Sequence, residues 1–331
     1  MSVQSTIGPI RPPTEAYSLL IRATINCPWN RCEFCSVFKG ERFQLRTVEE
    51  VKEDILAAKA WADAIQGQAE QTGQSAGIIA RLNGVLWLHD DGVKSAFLQD
   101  SDSLIMKTEP LVEILEFLCK TFPTLERVCT YARGKTLFRK SLDELRRLRQ
   151  AGLTRLHIGL ETGDDELLAY VQKGATAGQM VQAGRKAVEA GFEVSEYIMP
   201  GLGGTEKWEQ HAANSARVLN EINPRFIRLR TFRVVPGTPM YQKAERGEFH
   251  MQSIEGVLLE IRRFIEGLDV TSELVTSDFA SNFFMGEVDG KLPEDKEMLL
   301  RSIDETVAFW RSRGEPKHNP FSGNLNPSAQ Q

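Results

Sequence analysis

Cys27, Cys32 and Cys35 fall within the nine-residue run CPWNRCEFC. Three thiolates this close can reach one metal centre, and closely spaced thiolates are the natural ligands of an iron–sulfur cluster. A cubane cluster held by only three would keep one iron without a protein ligand, and that iron is a place to do chemistry. Zinc is the first rival, but structural zinc takes four Cys/His ligands in paired spacings. No second pair follows, and His89 has no neighbouring cysteine. A redox pair of Cys32 and Cys35 would leave Cys27 without a role. The remaining cysteines, Cys119 and Cys129, stand alone in apolar surroundings and read as buried thiols. They are too few to hold a second cluster.

The elements that would position this triplet alternate along the chain. A strand (YSLLIRATIN) precedes it. After it, Thr47–Glu50 reads as a capping box opening a helix with Val51, Ile55, Ala58 and Ala62 on one face. Residues 67–77 are polar and read as an exposed loop. A strand over Ser95–Leu98 ends in Gln99–Asp102, followed by a helix over 110–121 and a strand over Leu125–Tyr131. A unit then repeats. A helix capped by Ser141 stops at Gly152 before the strand LTRLHIGLE. A helix capped by Thr176 ends at Gly191 before FEVSEYIM. A helix around 206–221 turns at Asn223–Pro224 into RFIRLRTFRVV. Helix, stop and strand in succession predict βα units with parallel strands. Doubly buried parallel strands should be almost continuously apolar, yet these carry His157, Glu161, Glu196, Arg228 and Arg230. Polar residues in barrel strands point into a working cavity, so a partial or complete βα barrel fits better than a flat doubly wound sheet. Buried core remains the alternative for His157, and Tyr197 is expected on the face opposite Glu196. After Pro236–Pro239 the alternation is expected to stop, with helices over 253–268 and 294–312. The tail from Gly314 is rich in Pro, Asn and Ser and reads as mobile.

Of 331 residues, 41% are hydrophobic and 26% charged, which suffices for a large core. No apolar run approaches the ~20 residues of a membrane span, and the start of the chain lacks a signal pattern. Cytoplasm is the expected location. A net charge of −5 without a basic stripe makes a nucleic-acid substrate unlikely.

The triplet, with Phe34 just before Cys35, resembles the signature of the radical S-adenosylmethionine (SAM) enzymes, usually C-x3-C-x2-C with an aromatic residue before the last cysteine. The first spacing here is x4, a departure that concerns the path of the loop. The stretch LHIGLETGDDELLAYVQKGAT is similar to a segment of the subset related to oxygen-independent coproporphyrinogen oxidase and the elongator-type proteins. The resemblance spans roughly residues 15–245. It implies a partial (β/α)6-type TIM barrel with the triplet in the first βα loop, where active sites of such barrels sit. It also implies a 4Fe-4S cluster on Cys27, Cys32 and Cys35, whose open iron binds SAM. Reductive cleavage would then give a 5′-deoxyadenosyl radical that abstracts hydrogen from a substrate.

Further roles follow from the resemblance. Gln99, Asp100 and Ser101 stand where the family has a glycine-containing motif that meets the SAM amino group, and without the glycines the Asp100 carboxylate is the better candidate. A polar turn is the alternative. Glu161 stands at a SAM-contacting position, the alternative being an ion pair with an arginine, and Glu196 on the next strand is placed with it. Gly201 and Gly203 in MPGLGG resemble the element near the adenine, or form a plain turn. Arg133 could pair with the SAM carboxylate or be a surface residue. Arg228 and Arg230, two apart on one strand, face the same way. They could clamp an anionic substrate or neutralise Glu161 and Glu196.

The expected organisation is an N-terminal segment (1–14), a core barrel (15–245), a mostly helical extension covering the barrel mouth (246–315) and a flexible tail (316–331). Without a second cysteine group, an acetyltransferase region after residue 250 or room for a cobalamin-binding domain before the barrel, a compact single-cluster enzyme is expected. Its substrate would be an anionic small molecule, and its electrons would come from a donor such as flavodoxin or ferredoxin. The alternatives are an RNA- or tRNA-modifying enzyme and a non-catalytic iron–sulfur electron-transfer or scaffold protein.

Overall fold

The computed structural model describes residues 8, 10–278, 282, 284 and 288–313. The tail expected over 316–331 and the first seven residues lie outside them. Two compact units divide the chain. The first comprises residues 1–28, 40–157 and 189–193, and the second comprises 29–39, 158–188 and 194–331.

In the first unit, β1 (Leu19–Ile21) is followed by a short antiparallel pair, β2 (Thr24–Ile25) and β3 (Gln44–Leu45). β4 (Ser95–Leu98) pairs in parallel with β1, aligning Leu20 with Phe97, and β5 (Arg127–Ala132) pairs in parallel with β4. The helix Val48–Thr72 opens with the expected capping box between Thr47 and Glu50 and buries Val51, Ile55, Ala58, Ala62 and Ile65. The helix Thr108–Thr121 buries Leu111, Ile114, Leu115 and Leu118. That is an i, i+3, i+4, i+7 stripe, and each such side chain contributes roughly 1.5–3 kcal/mol on burial.

The strand β6 (Arg155–Glu161) is shared at its residue 157/158 boundary, and most of β7 (Glu193–Ile198) belongs to the second unit. There β8 (Phe226–Leu229) runs parallel to β7, with Tyr197 opposite Arg228. β9 (Glu273–Val275) runs parallel to β8, and β10 (Gly290–Lys291) closes antiparallel to β9. Ile227 and Leu229 enter one core with Ile261 and Phe264 from the helix Ile254–Glu266 and Leu299 and Ile303 from the helix Lys296–Arg313. The expected fold class is borne out: α/β, with parallel strands alternating with helices as in a partial (β/α)6 barrel, and a mostly helical C-terminal region.

Three local expectations are corrected. The loop expected over 67–77 is helical as far as Thr72, where Gly73 stops the helix with φ +70°, and a second helix begins at Ala76. Its polarity reflected exposure, since Gln, Ala and Glu are good helix formers. The strand expected over 225–235 stops at Leu229. The alternation also continues past Pro239, because Ile254–Glu266 is followed by β9 parallel to β8. At three residues, β9 is too short to show a period.

Candidate active site

The loop carrying the three cysteines leaves β2 at Asn26 and returns at β3, so the antiparallel pair closes its base. Cys27, Cys32 and Cys35 are all half-buried.

In the first unit, the end of β4 holds the start of this loop. Asp100 has φ +69°, a conformation for which Asp is better suited than most side chains. Its Oδ2 accepts from Arg22 Nε at 3.0 Å and Nη2 at 2.7 Å, and from the backbone N–H of Asn26 at 2.7 Å. Asp100 is fully buried, and its Oδ1 has no hydrogen-bond partner among the described residues. A Cβ on Gly8 would lie 2.3 Å from that oxygen. The carboxylate therefore anchors the residue before Cys27. Gln99 is buried and accepts from the Gly8 N–H at 3.1 Å, and Ser101 donates to the Asn26 carbonyl at 3.3 Å. Arg133 caps the helix Gly134–Arg139, and its backbone N–H donates to Asp102 at 3.4 Å. Burial pushes the Asp102 carboxyl up to about 6, against the hydrogen bond from Thr136 and the charge of Arg133.

In the second unit, the remainder of the cysteine loop docks on residues 171–174. The Trp29 indole donates to the Gln172 carbonyl at 2.7 Å, and the Glu33 N–H to the Val171 carbonyl at 3.0 Å. The Gln172 amide donates to Glu33 Oε1 at 2.7 Å, and Lys243 meets Glu33 Oε2 at 2.5 Å. Gly174 leaves room for the Trp29 ring, which a Cβ would meet at 2.5 Å. Lys173 lies 5.8 Å from the centroid of Phe34, within cation–π range. None of Trp29, Glu33, Gln172 or Lys173 was picked out by the sequence. Their signal was the segment LLAYVQKGAT, legible as a likeness but silent on which side chains touch the cysteine loop.

Glu161 ends β6 with φ +65° and pairs with Lys173 at 2.8 Å, so its cation is a lysine twelve residues on. Glu196 is fully buried, and its Oε2 has no hydrogen-bond partner among the described residues. Burial pushes its carboxyl up to about 8. The Lys173 charge opposes this shift and the Glu161 charge adds to it. Tyr197 is buried as expected. His157 is fully buried in the first unit, 3.6 Å from Glu15.

The MPGLGG element turns through Gly201 at φ +87°. The Gly201 N–H reaches both oxygens of Glu260 at 3.0 and 3.1 Å. Gly203 precedes the helix Gly204–Ile222, and a Cβ there would strike the Lys207 backbone at 2.8 Å. Glu260 is another residue the sequence did not mark. It is buried with His211, which lies 2.5 Å from its Oε1, and also receives the Gln252 amide.

The two arginines expected to act together are separated by the end of β8. Arg228 is buried, with Nε on Ser195 Oγ at 3.0 Å and an ion pair to Asp278. Arg230 is exposed just past the strand and lines a cavity of about 470 Å³ with Phe34, Cys35, Met199, Arg233 and Asp278. One cysteine of the triplet thus opens onto a space large enough for a ligand.

The chain is similar to several known proteins. The family model described as "Radical SAM superfamily" matches residues 21–216. A tRNA uridine(34) acetyltransferase of Methanocaldococcus jannaschii is 24% identical over 107 residues, covering 32% of this chain and 20% of that protein. The heme chaperone HemW of Bacillus subtilis is 25% identical over 173 residues, covering 51% of this chain and 45% of that protein. The chain thus matches less than half the length of these relatives. A solved structure of the cobalamin-dependent SAM radical enzyme OxsB, with aqua-cobalamin and SAM bound, shares the fold with TM-score 0.52 at 14% identity, covering 74% of this chain and 40% of that one. Because the family model takes in more than half of the 331 residues, the chain belongs to the radical SAM superfamily of enzymes.

Proposed function

We propose that the protein binds a 4Fe-4S cluster through Cys27, Cys32 and Cys35, cleaves SAM reductively, and abstracts hydrogen from a small-molecule substrate. The observation that carries this reading is the cysteine triplet on the loop between β2 and β3, with Cys35 facing the cavity. Bound at the iron left without a thiolate, SAM would yield methionine and the 5′-deoxyadenosyl radical on receiving one electron from the cluster.

The chain's own residues prepare that chemistry. Asp100 and Arg22 hold Asn26, and so the approach to Cys27, with Gln99 and Ser101 securing the same turn. Glu33, Gln172 and Trp29 hold the Cys32–Cys35 stretch. The carboxylate of Glu161 and the neutral carboxyl of Glu196 are offered as SAM contacts together with Phe34, Gly201, Gly203 and Arg133. The side chain of Arg228 is committed to Asp278 and Ser195, which leaves Arg230 as the expected substrate residue facing the cavity. A cluster of this kind fits a reducing compartment, hence the cytoplasm, and a flavodoxin or ferredoxin as electron donor.

The test is anaerobic reconstitution followed by dithionite and SAM. Wild type should form 5′-deoxyadenosine, and single Cys→Ser changes at 27, 32 or 35 should abolish it, while Cys119→Ser should not. An intact cluster that yields no 5′-deoxyadenosine would leave the non-catalytic electron-transfer or scaffold reading. A second reading, action on tRNA, is favoured by the Methanocaldococcus jannaschii relative. A mobility shift with tRNA at moderate salt would bring it forward.

A further inference from the structure

Glu15, Cys129 and His157 meet in the interior of the first unit, and none of them has a part in the chemistry proposed above. All three are fully buried. A Glu15 carboxylate oxygen, the Cys129 sulfur and a ring nitrogen of His157 lie within 4.8 Å of one another. They come from three separate elements: the short turn Pro13–Glu15 ahead of β1, the middle of β5, and β6.

The Glu15 carboxylate divides its two oxygens. Oε2 accepts from Ser18 Oγ at 2.7 Å and from Arg127 Nη2 at 3.3 Å. Oε1 faces His157 Nε2 at 3.6 Å and Thr14 Oγ1 at 3.5 Å. The contact with His157 is long for a hydrogen bond. It matches an edge of a tetrahedral metal site, roughly 3.3–3.6 Å when the bonds from metal to nitrogen and oxygen are about 2.0–2.2 Å. To match as well, the widest separation in the trio would close by at most about 1 Å. A ligating carboxylate is ordinarily steadied by hydrogen bonds, which Ser18 and Arg127 supply here at the other oxygen. The His157 ring packs edge-to-face with Phe97 and Tyr131, at centroid separations of 6.3 and 5.9 Å, which fixes its plane.

One sulfur, one nitrogen and one oxygen make a mixed donor set. Magnesium and calcium take oxygen ligands, so the thiolate disfavours them. The set suits a borderline divalent ion, zinc first, with three protein ligands and water in the fourth position.

We propose that Glu15, Cys129 and His157 bind one zinc ion, which ties the turn ahead of β1 to β5 and β6. The ion takes the place of the Glu15–His157 contact and of the Cys129 thiol proton, which is released to solvent. Because the ligands are fully buried, zinc enters as the chain folds. Cys129 is then a ligand rather than the plain buried thiol its apolar surroundings suggest. None of Cys27, Cys32 and Cys35 is used, so the site does not rest on the proposed cluster chemistry.

The test measures zinc by elemental analysis in the full chain, produced with added zinc, reconstituted with its cluster and dialysed against a weak chelator. Wild type and C119S should keep about one zinc per chain. C129S and H157Q should each keep less than about a tenth of that, with iron per chain unchanged, since losing a ligand exceeds the roughly 10–100-fold cost of losing a supporting partner. S18A removes such a partner and should weaken zinc binding by about 10–100-fold. In a C27A/C32A/C35A chain produced with cobalt, a thiolate-to-cobalt charge-transfer band should appear, and adding C129S should remove it. Zinc in C129S equal to wild type would overturn the proposal, as would no zinc in wild type. Either result would leave a Glu15–His157 ion pair in its place. Should H157Q not fold, C129S, which removes the sulfur at nearly constant volume, and the cobalt spectrum still decide. Failure of the broader reading would appear separately, as absent 5′-deoxyadenosine in wild type with its cluster intact.

Discussion

His211 Nδ1 lies 2.5 Å from Glu260 Oε1, and both side chains are fully buried. The other ring nitrogen, Nε2, is 3.2 Å from the Glu161 carbonyl. A carboxylate and a carbonyl both accept, so this pairing favours the imidazolium form of the ring, in which both nitrogens donate. Burial alone would lower the His211 pKa, but the charge and hydrogen bond of Glu260 raise it above 6.5. The pair ties Gly201 and the end of β6 to the helix Ile254–Glu266.

Because the folded-state pKa of His211 is raised, its stabilising contribution is complete below pH 6.5 and is lost as pH rises through the folded value. E260A removes the charge that raises the His211 pKa, so the buried ring loses its proton, and the unmet hydrogen bonds should cost about 1–3 kcal/mol. It also frees the Gly201 turn, so SAM affinity should fall. Urea unfolding at several pH values checks both points. A pH profile in E260Q identical to wild type above pH 6.5 would refute the pairing.

Glu196 acts over a lower range. Its carboxyl is raised from 4.5 to about 8, so the folded state is penalised progressively as pH rises between those values, and constantly above them. E196Q should therefore be more stable than wild type at pH 8.5 and gain little at pH 4. Thermal melts at the two pH values measure this, and an equal gain at both would mean that Glu196 is ionised throughout.

The Asp100–Arg22 pair makes a prediction about loading. D100A takes the Asp100 carboxylate from the buried Arg22, at a cost of about 3–5 kcal/mol, and releases the Asn26 N–H beside Cys27. Iron bound per chain after reconstitution should drop. D100N keeps an acceptor for Asn26 and should lose less of both stability and iron. Full iron content in D100A would show that Cys27 needs no such anchor.

Two glycines of the LHIGLETG run should behave oppositely. A Cβ on Gly163 would lie 2.3 Å from the Asn214 backbone carbonyl oxygen, which cannot yield without moving a helix. G163A should cost about 1–3 kcal/mol or more. A Cβ on Gly159 meets only side-chain ends, Glu161 Oε1 at 2.2 Å and Lys173 Nζ at 2.9 Å. G159A should leave the melting temperature nearly unchanged while displacing that ion pair and weakening SAM binding. Chemical melts and SAM titrations separate the two, and a stable G163A would contradict the packing.

What could be read in advance was local. The capping boxes at Thr47 and Ser141 pair residues three apart and formed as written. The cysteine triplet is likewise a short-range pattern. The supports of the site are not. Glu33 meets Gln172 across 139 residues and Gly201 meets Glu260 across 59, and no period relates such partners. Arg228 and Arg230 failed for a different reason. Alternation assigns facing only while a strand lasts, and β8 ends between them.

The pairing of Thr24–Ile25 with Gln44–Leu45 has a consequence for how the metal is acquired. A chain that must gather three distant thiolates loses conformational freedom at the moment of loading, and the loss grows with the length of the loop being closed. Here the ends of that loop meet in two short strands, so much of the ordering is complete before any iron arrives. The same clip fixes where the loop begins and ends. An added residue between Cys27 and Cys32 alters the path inside the clip but not the position at which the helix Val48–Thr72 begins. The first cysteine spacing is thereby free to lengthen by one without shifting the register of the barrel.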